Sequence, residues 1–338
     1  MNSLDSSTNE TVWDRKRRGH YEVYYLKWNH LKTRTAVWLR YTLHVPVAGG
    51  GEPTVSLWGI FFDAKDPSKN QALKSTSVIQ DWISKKNPFS FWIDTAVLTD
   101  RSAKGRIEEN GKFFEWDLQW DPNPDTICYL PYAWLYKAPL PKTKVLTPNI
   151  DIRFHGTFRT QDQTFVCEGE PGEQTHIWGV KHAQRWVWGH CNTFKEDPSA
   201  VFWGLSAQIP IGSWITPPLS VFYFRYRGGE YLVNRLWKGW SHPTDFSLGH
   251  WDFTAIVSKD LRLKGEFRTT SDRCVGVEYR DPDGDPLYCN NTKIADFRLT
   301  VLRRKGGQFL PETSLHAEGT SAWELVERNS YPQVPIQI

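Results

Sequence analysis

The sequence predicts an all-β fold of two antiparallel barrels, and three observations carry that prediction. Aromatic residues make up 14% of the chain, with 18 Trp against a single Met. Segments rich in aromatic and β-branched residues recur, each closed by Gly, Pro, Asn or Asp, and no convincing helical period interrupts them. The two halves also align without a gap over about forty residues when the chain is displaced by 164 positions.

In the first half, strands are expected over 21–28, 36–45, 55–63, 113–120 and 150–160. The clearest is 113–120, where Phe114, Trp116, Leu118 and Trp120 alternate with charged or polar residues. Residues 81–86 allow one short turn of helix. In the second half, strands are expected over 185–194, 200–209, 220–227, 230–237, 251–257 and 294–303. The displacement sets Val23-Tyr24 against Val187-Trp188, Ala36-Val37-Trp38 against Ala200-Val201-Phe202, and Glu22 against Trp186. It implies a disordered tail over 1–18, a first barrel over 19–170 and a second over 171–338, with the junction in the Gly- and Glu-rich stretch 167–174.

Residues 176–194 are the most decorated stretch, with three His, three Trp, an Arg and an Asn in nineteen positions. A strand beginning at Arg185 would turn Trp186, Trp188, His190 and Asn192 to one face, placing an imidazole and a carboxamide among indoles. That face suits an apolar ligand that is gripped and protonated. Its bland reading is core, with each histidine hydrogen-bonded to backbone. His176, His182 and His190 are spaced six and eight apart, which matches no standard zinc pattern, so no metal is expected. Glu22 is either a general acid with a raised pKa or a buried partner of Arg40 or Lys27. Arg185 and Lys181 either bind an anion or pair with Glu168, Glu170 or Glu173. Asp281, Asp283 and Asp285 imitate the start of a calcium loop without its closing Glu and read as a hairpin turn.

The totals exclude other classes. With 41 basic and 38 acidic residues the net charge is +3, too even for a dedicated nucleic-acid binder. The basic run Arg15–Arg18 is either a solvated tail or a membrane or nucleic-acid contact. Five widely spaced cysteines and no leader-like opening make the cytoplasm the simplest location. No dinucleotide fingerprint, phosphate loop or nucleophile elbow occurs, so no cofactor is expected.

The opening His20-Tyr-Glu-Val-Tyr-Tyr-Leu-Lys-Trp-Asn with Ala36-Val-Trp-Leu-Arg-Tyr-Thr-Leu resembles hydroxyneurosporene synthase (carotenoid 1,2-hydratase)-like proteins. The stretch His176-Ile-Trp-Gly through Trp186-Val-Trp-Gly-His-Cys-Asn resembles both these and tocopherol-cyclase-like proteins, and Tyr288-Cys-Asn-Asn-Thr-Lys-Ile-Ala-Asp is similar to a late strand there. The resemblance implies two lipocalin-like (calycin) barrels with few short helices. It also implies cofactor-free protonation of an alkene, followed by capture of the cation by water or an internal hydroxyl.

The expected function is therefore cyclisation, hydration or isomerisation of a hydrophobic, isoprenoid- or polyketide-like molecule. His190, Glu22, His176 and Asn192 are the candidate catalytic residues. Trp178, Trp186, Trp188, Tyr24, Trp28 and Arg185 are the candidate substrate contacts. Transient membrane contact to collect substrate is the expected partnership beyond the small molecule itself. A lipid carrier without turnover is the main alternative, and a sugar-binding protein with Trp platforms a weaker one.

Overall fold

Strand-forming residues produce two large antiparallel sheets, buried on both faces where the sheets meet and on one face elsewhere. The computed structural model describes residues 6–338. The first sheet has 12 strands: β1 (His20–His30), β2 (Thr35–Val45), β3 (Thr54–Asp63), β4 (Gln71–Val78), β5 (Trp82–Lys85), β6 (Ser90–Ile93), β7 (Ala96–Thr99), β8 (Ser102–Glu109), β9 (Lys112–Gln119), β10 (Ile127–Cys128), β11 (Thr143–Thr160) and β12 (Thr164–Gly179). Their order is β4-β3-β2-β1-β12-β11-β9-β8-β7-β6-β5, with β10 paired to β11. The sheet curls until β4 leans on β8 and β9.

The chain then enters β13 (Arg185–Cys191) and β14 (Val201–Gln208), followed by the small hairpin β15 (Pro210–Ile211) and β16 (Trp214–Ile215). β17 (Leu219–Tyr226), β18 (Gly229–Val233), β19 (Thr244–Ser247), β20 (His250–Ile256), β21 (Leu261–Arg268), β22 (Val275–Arg280), β23 (Pro286–Lys305) and β24 (Gln308–Glu327) complete the second half. The second sheet runs β18-β17-β14-β13-β24-β23-β21-β20-β19, with β22 on β23 as β10 is on β11. This shared connectivity bears out the all-β class and the duplication.

Several expectations need correction. The junction foreseen at 167–174 lies inside β12, which pairs with β11 from Thr164 to Gly179 and with β1 from Gly172 to Gly179, so the sheets change at 180–184. Of the tail foreseen as disordered over 1–18, residues 1–5 lie outside the described residues, and the rest follows a defined path along the first barrel. A 3-10 turn, Ser6–Asn9, is followed by a strap laid across one end of the first barrel, with Asn9 and Thr11 buried. Residues 79–81 form a 3-10 turn that runs directly into β5, which replaces the helical turn expected over 81–86. Strands β4–β8, β10, β12, β15, β16, β19, β21, β22 and β24 lie outside the expected set. Several are short or carry charged residues on a half-exposed face, which weakens the apolar signal.

Three cores result. Inside the first barrel, Leu39, Tyr41, Phe91, Phe114, Trp116, Phe154 and Phe158 pack together. Inside the second, Phe202, Phe222, Trp251, Phe253, Phe267 and Phe297 form a stack in which Phe267 and Phe297 lie 3.8 Å apart. The third core is the seam where the outer faces of the two sheets meet, joining Tyr25, Trp38, Trp58 and Ile60 to Trp188, Trp203, Tyr223 and Val277. Tyr129 stacks on Trp203 across it at 3.7 Å.

The seam also shows that the displacement by 164 has the wrong parity. It equates Val37, inside the first barrel, with Val201, in the seam. Because side chains alternate between faces, an odd displacement is needed to match inward with inward residues.

Candidate active site

β1 has two chemically different faces. Glu22, Tyr24, Leu26 and Trp28 point into the first barrel, while Tyr25, Lys27 and Asn29 point into the seam. On β12, His176 is the register partner of Tyr24, and Trp178 that of Glu22. The alternation His20-x-Glu22-x-Tyr24 therefore meets His176 and Trp178 at the end of the barrel where β1 begins.

Glu22 is completely buried and surrounded by donors. His176 Nε2 lies 2.9 Å from its Oε1, and His20 Nε2 lies 3.2 Å from its Oε2. The backbone N–H groups of Val12 and Trp13 donate to the same carboxylate at 2.7 and 3.1 Å. Burial pushes the Glu22 pKa up, but the hydrogen bonds from His176 and His20 outweigh it and hold the carboxyl down at about 2. Glu22 is thus an anion. The expectation of a raised pKa fails because two imidazoles and two amides replace the water it lost.

His176 is equally enclosed. Its ring stacks on Tyr24 at 4.3 Å and lies 4.8 Å from Trp178. Its Nδ1 faces the carbonyl oxygen of Thr8 at 2.8 Å. A carbonyl and a carboxylate are both acceptors, so both ring nitrogens are set up as donors, the arrangement of an imidazolium. Tyr24 donates its hydroxyl to the Asn9 carbonyl at 2.9 Å, and Gln174 donates to the Asn9 side chain at 2.9 Å. The polar end of the barrel is thereby filled by the strap, residues 8–13, whose backbone supplies both acceptors and donors. Trp28 lies deeper on the same face of β1, packed on Phe154 at 5.4 Å.

The alternating face of β13 lies elsewhere. Trp188 and His190 share one face as expected, with Asn192 just beyond the strand, but that face closes on the first sheet and not on a barrel interior. His190 is fully buried; its Nε2 donates to the Ile150 carbonyl at 3.0 Å, and its Nδ1 has no partner. Burial, helped by the nearby Lys27 charge, holds it well below the usual imidazole range. It is a neutral ring, not the proton donor foreseen. Asn192 donates to Asp151 at 2.8 Å and to the Gly172 carbonyl at 3.1 Å, so it ties the sheets together. Trp188 meets Tyr25 edge-on at 5.8 Å. Trp186 stacks on His182, which itself stacks on Tyr21. Arg185 lies at the surface, paired with Glu327 and donating to the Phe246 carbonyl at 2.9 Å. Lys181 pairs with Asp283 and Asp285. The ion-pair readings of both residues thus hold, with partners other than those foreseen.

Sequence reasoning passed over His20 and the strap residues. The period-two spacing of His20, Glu22 and Tyr24 was the available signal. It also passed over a buried ionic group in the seam. Lys27, cross-strand from Glu173, has an unpartnered Nζ, and Glu173 Oε2 is 3.7 Å from His190. Burial pushes Glu173 up to about 8 and Lys27 down to about 8, each toward its neutral form. Lys293 donates to Asn291 at 2.6 Å and to Glu324 at 2.8 Å beside them. Among the described residues no group of His, Cys, Asp or Glu is arranged to hold a metal ion. The Asp281–Asp285 segment is a hairpin turn in which Asp281 binds His182 and Arg328.

An all-β duplicated protein, with an acid–base cluster capping one aromatic-filled barrel, is the class that fold and site define. Residues 140–322 match the tocopherol cyclase-like family model, which is more than half of the sequence, and the chain belongs to that family. It is 23% identical over 302 residues to an uncharacterized protein found in two strains of Mycobacterium tuberculosis, covering 88% of this chain and 87% of the relative. A crystal structure from Nitrosomonas europaea assigned to AttH shares the fold, with a TM-score of 0.53, 10% identity and 93% of each chain covered. Kievitone hydratase from Nectria haematococca gives a TM-score of 0.47 at 9% identity, over 90% of this chain and 88% of that one. Among the described residues no helix is long and apolar enough to cross a membrane.

Proposed function

We propose that the protein is an enzyme that protonates a double bond of a hydrophobic, isoprenoid- or polyketide-like molecule at the mouth of the first barrel, leading to cyclisation, hydration or isomerisation. One observation supports this above the rest: His176 has both ring nitrogens facing acceptors, beside an ionised, water-free Glu22. The Glu22 carboxylate accepts from Nε2 and so fixes the ring, leaving Nδ1–H to act. The Thr8 carbonyl, which now accepts that proton's hydrogen bond, stands where an alkene carbon would sit once the strap moves aside.

Proton transfer from Nδ1 to the alkene forms a C–H bond and leaves a carbocation, which the electron-rich faces of Tyr24 and Trp178 stabilise. Attack by water or by the substrate's own hydroxyl forms the C–O bond, and the released proton returns to His176. No cofactor is needed for this sequence. Family membership favours the reading, since the family is described as cyclase-like. His190 and Asn192 take no part in it, and Trp186, Trp188 and Arg185 lie outside the reacting space.

The test is incubation with acyclic isoprenoids and prenylated phenols in deuterated water. The expected product carries one deuterium at the protonated carbon. His176→Gln lowers the rate about a hundredfold or more while ligand binding persists. Binding of the panel without conversion by the unaltered protein would replace this reading with that of a carrier.

A further inference from the structure

The exposed large apolar residues are unevenly placed. β1 and β3 begin, and β2, β4 and β12 end, at one end of the first barrel, as Tyr21 pairs with Gly179 and Thr54 with Val78. Five residues separate Gly179 from β13, whose first residue pairs with Gln208 at the end of β14. His182, stacked between Tyr21 and Trp186, joins the two barrel ends side by side. The loops of this common end carry Trp134 and Leu140 from the first half, exposed by 64% and 63%. From the second half they carry Ile211 and Trp214, on the β15–β16 hairpin, and Trp237 and Trp240, on the 3-10 turn Leu236–Ser241. The hairpin leads into β17, and Gly239 of the turn packs against Leu219 at the start of that strand, so the two lie together.

Cations surround these aromatics. The strap brings the exposed run Arg15-Lys16-Arg17-Arg18 to the mouth, and Lys137, Lys142, Arg235 and Lys238 are exposed on the same loops. Exposed acids at this end are fewer: Asp14, Glu52, Asp81 and Asp94, with Asp245 taken up by His250 and Asp283 and Asp285 by Lys181. Indoles exposed by half or more lose that contact with water only by inserting into something, and a surrounding belt of Lys and Arg fits a negatively charged plane.

We propose that this end of the molecule docks on the surface of an anionic lipid membrane, with Trp134, Trp214, Trp237 and Trp240 entering the headgroup region. The mouth covered by the strap then faces the bilayer, so a hydrophobic molecule passes from lipid to barrel without crossing water. Docking stands on the exposed residues alone, and its test reads binding without turnover, so it succeeds or fails apart from the proposed reaction.

The test is flotation of the full chain with vesicles of phosphatidylcholine mixed with phosphatidylserine, compared with phosphatidylcholine alone. The protein is expected to float with the anionic vesicles and to be released by salt. Its tryptophan emission is expected to be quenched by brominated acyl chains. The Trp134→Ser/Trp214→Ser/Trp237→Ser variant is expected to bind about tenfold or more weakly with an unchanged melting temperature. Lys16→Glu/Arg17→Glu is expected to lose about fivefold per cation removed, more as charges reverse. Leu310→Ser, near the start of β24 at the opposite end, should change nothing. Equal flotation of the triple variant and the unaltered protein would overturn the proposal, as would absence of binding to anionic vesicles. A dimer that the triple variant converts to monomer would overturn it too, by showing that a second copy covers this face.

Discussion

At the scale of single residues, Glu22 is the group on which the site depends. It is an anion with no solvent around it, held by two imidazoles and two amides. Its folded pKa of about 2 lies below the ordinary 4.5, so the unfolded chain binds the proton more tightly. The stabilisation is therefore complete above about pH 4.5 and is lost as pH falls toward 2, to a total of about 3 kcal/mol. Chemical denaturation of the unaltered protein and of Glu22→Gln checks this. The variant should be less stable by about 3 kcal/mol at pH 7, and the difference should shrink steadily below pH 4.5. A difference that stays constant down to pH 3 would mean that Glu22 is neutral in the fold. The same substitution removes the counter-ion of His176, so the deuterium-incorporation rate should fall with it by about a hundredfold.

At the scale of elements, the proposed reaction makes the strap a lid and β1 its seat. Thr11 Oγ1 lies 2.5 Å from Ser84 Oγ on β5, and Trp13 packs on Trp82 at 5.6 Å. Thr11→Cys/Ser84→Cys should form a disulfide that fixes the strap in place. Oxidised, this variant should resist modification of His176 by diethyl pyrocarbonate and turn over slowly; reduced, it should regain both. Equal modification in the two states would show that His176 is reached by another route. The elements also show what the sequence could and could not reveal. The period-two runs of β1–β3, β13, β14 and β17 were readable because aromatic and β-branched residues fill them, and so was the duplication. Which face was which was not readable. Both faces of these strands are buried, so Val37 and Val201 look alike although one lies in a barrel and the other in the seam. For that reason the strand pattern points His190 at a ligand hollow although it lies in the seam, whereas Glu22, His176, Tyr24 and Trp178 lie together at one end of the first barrel. The strap escaped notice because its function is carried by backbone amides and carbonyls of Thr8, Asn9, Val12 and Trp13, which no side-chain pattern announces.

At the scale of the whole molecule, a continuous buried aromatic seam joins the two barrels, and it predicts that they unfold together. It contains Trp38, Trp58, Trp188 and Trp203, and Trp203 is sandwiched on Tyr129 from the other sheet. Trp203→Ala should cost about 3–5 kcal/mol, and both barrels should melt together at a lower temperature in a single transition. Two separate transitions would show that the sheets fold independently. The seam also carries a charge whose role is not to stabilise. Lys27 Nζ is buried without a hydrogen-bond partner, and burial has moved its pKa down to about 8, so the fold pays for its presence. The unfolded chain binds that proton more tightly, so this penalty is largest below pH 8 and fades as pH rises toward 10.5. Lys27→Met keeps the length of the side chain and removes the amine. It should raise stability at pH 7 by about 1–2 kcal/mol, with the gain diminishing at pH 10. Urea denaturation at the two pH values checks this. Destabilisation by Lys27→Met at both would mean that the ammonium is paired with Glu173 in solution, and that the two sheets are held by that pair as well as by their aromatic residues.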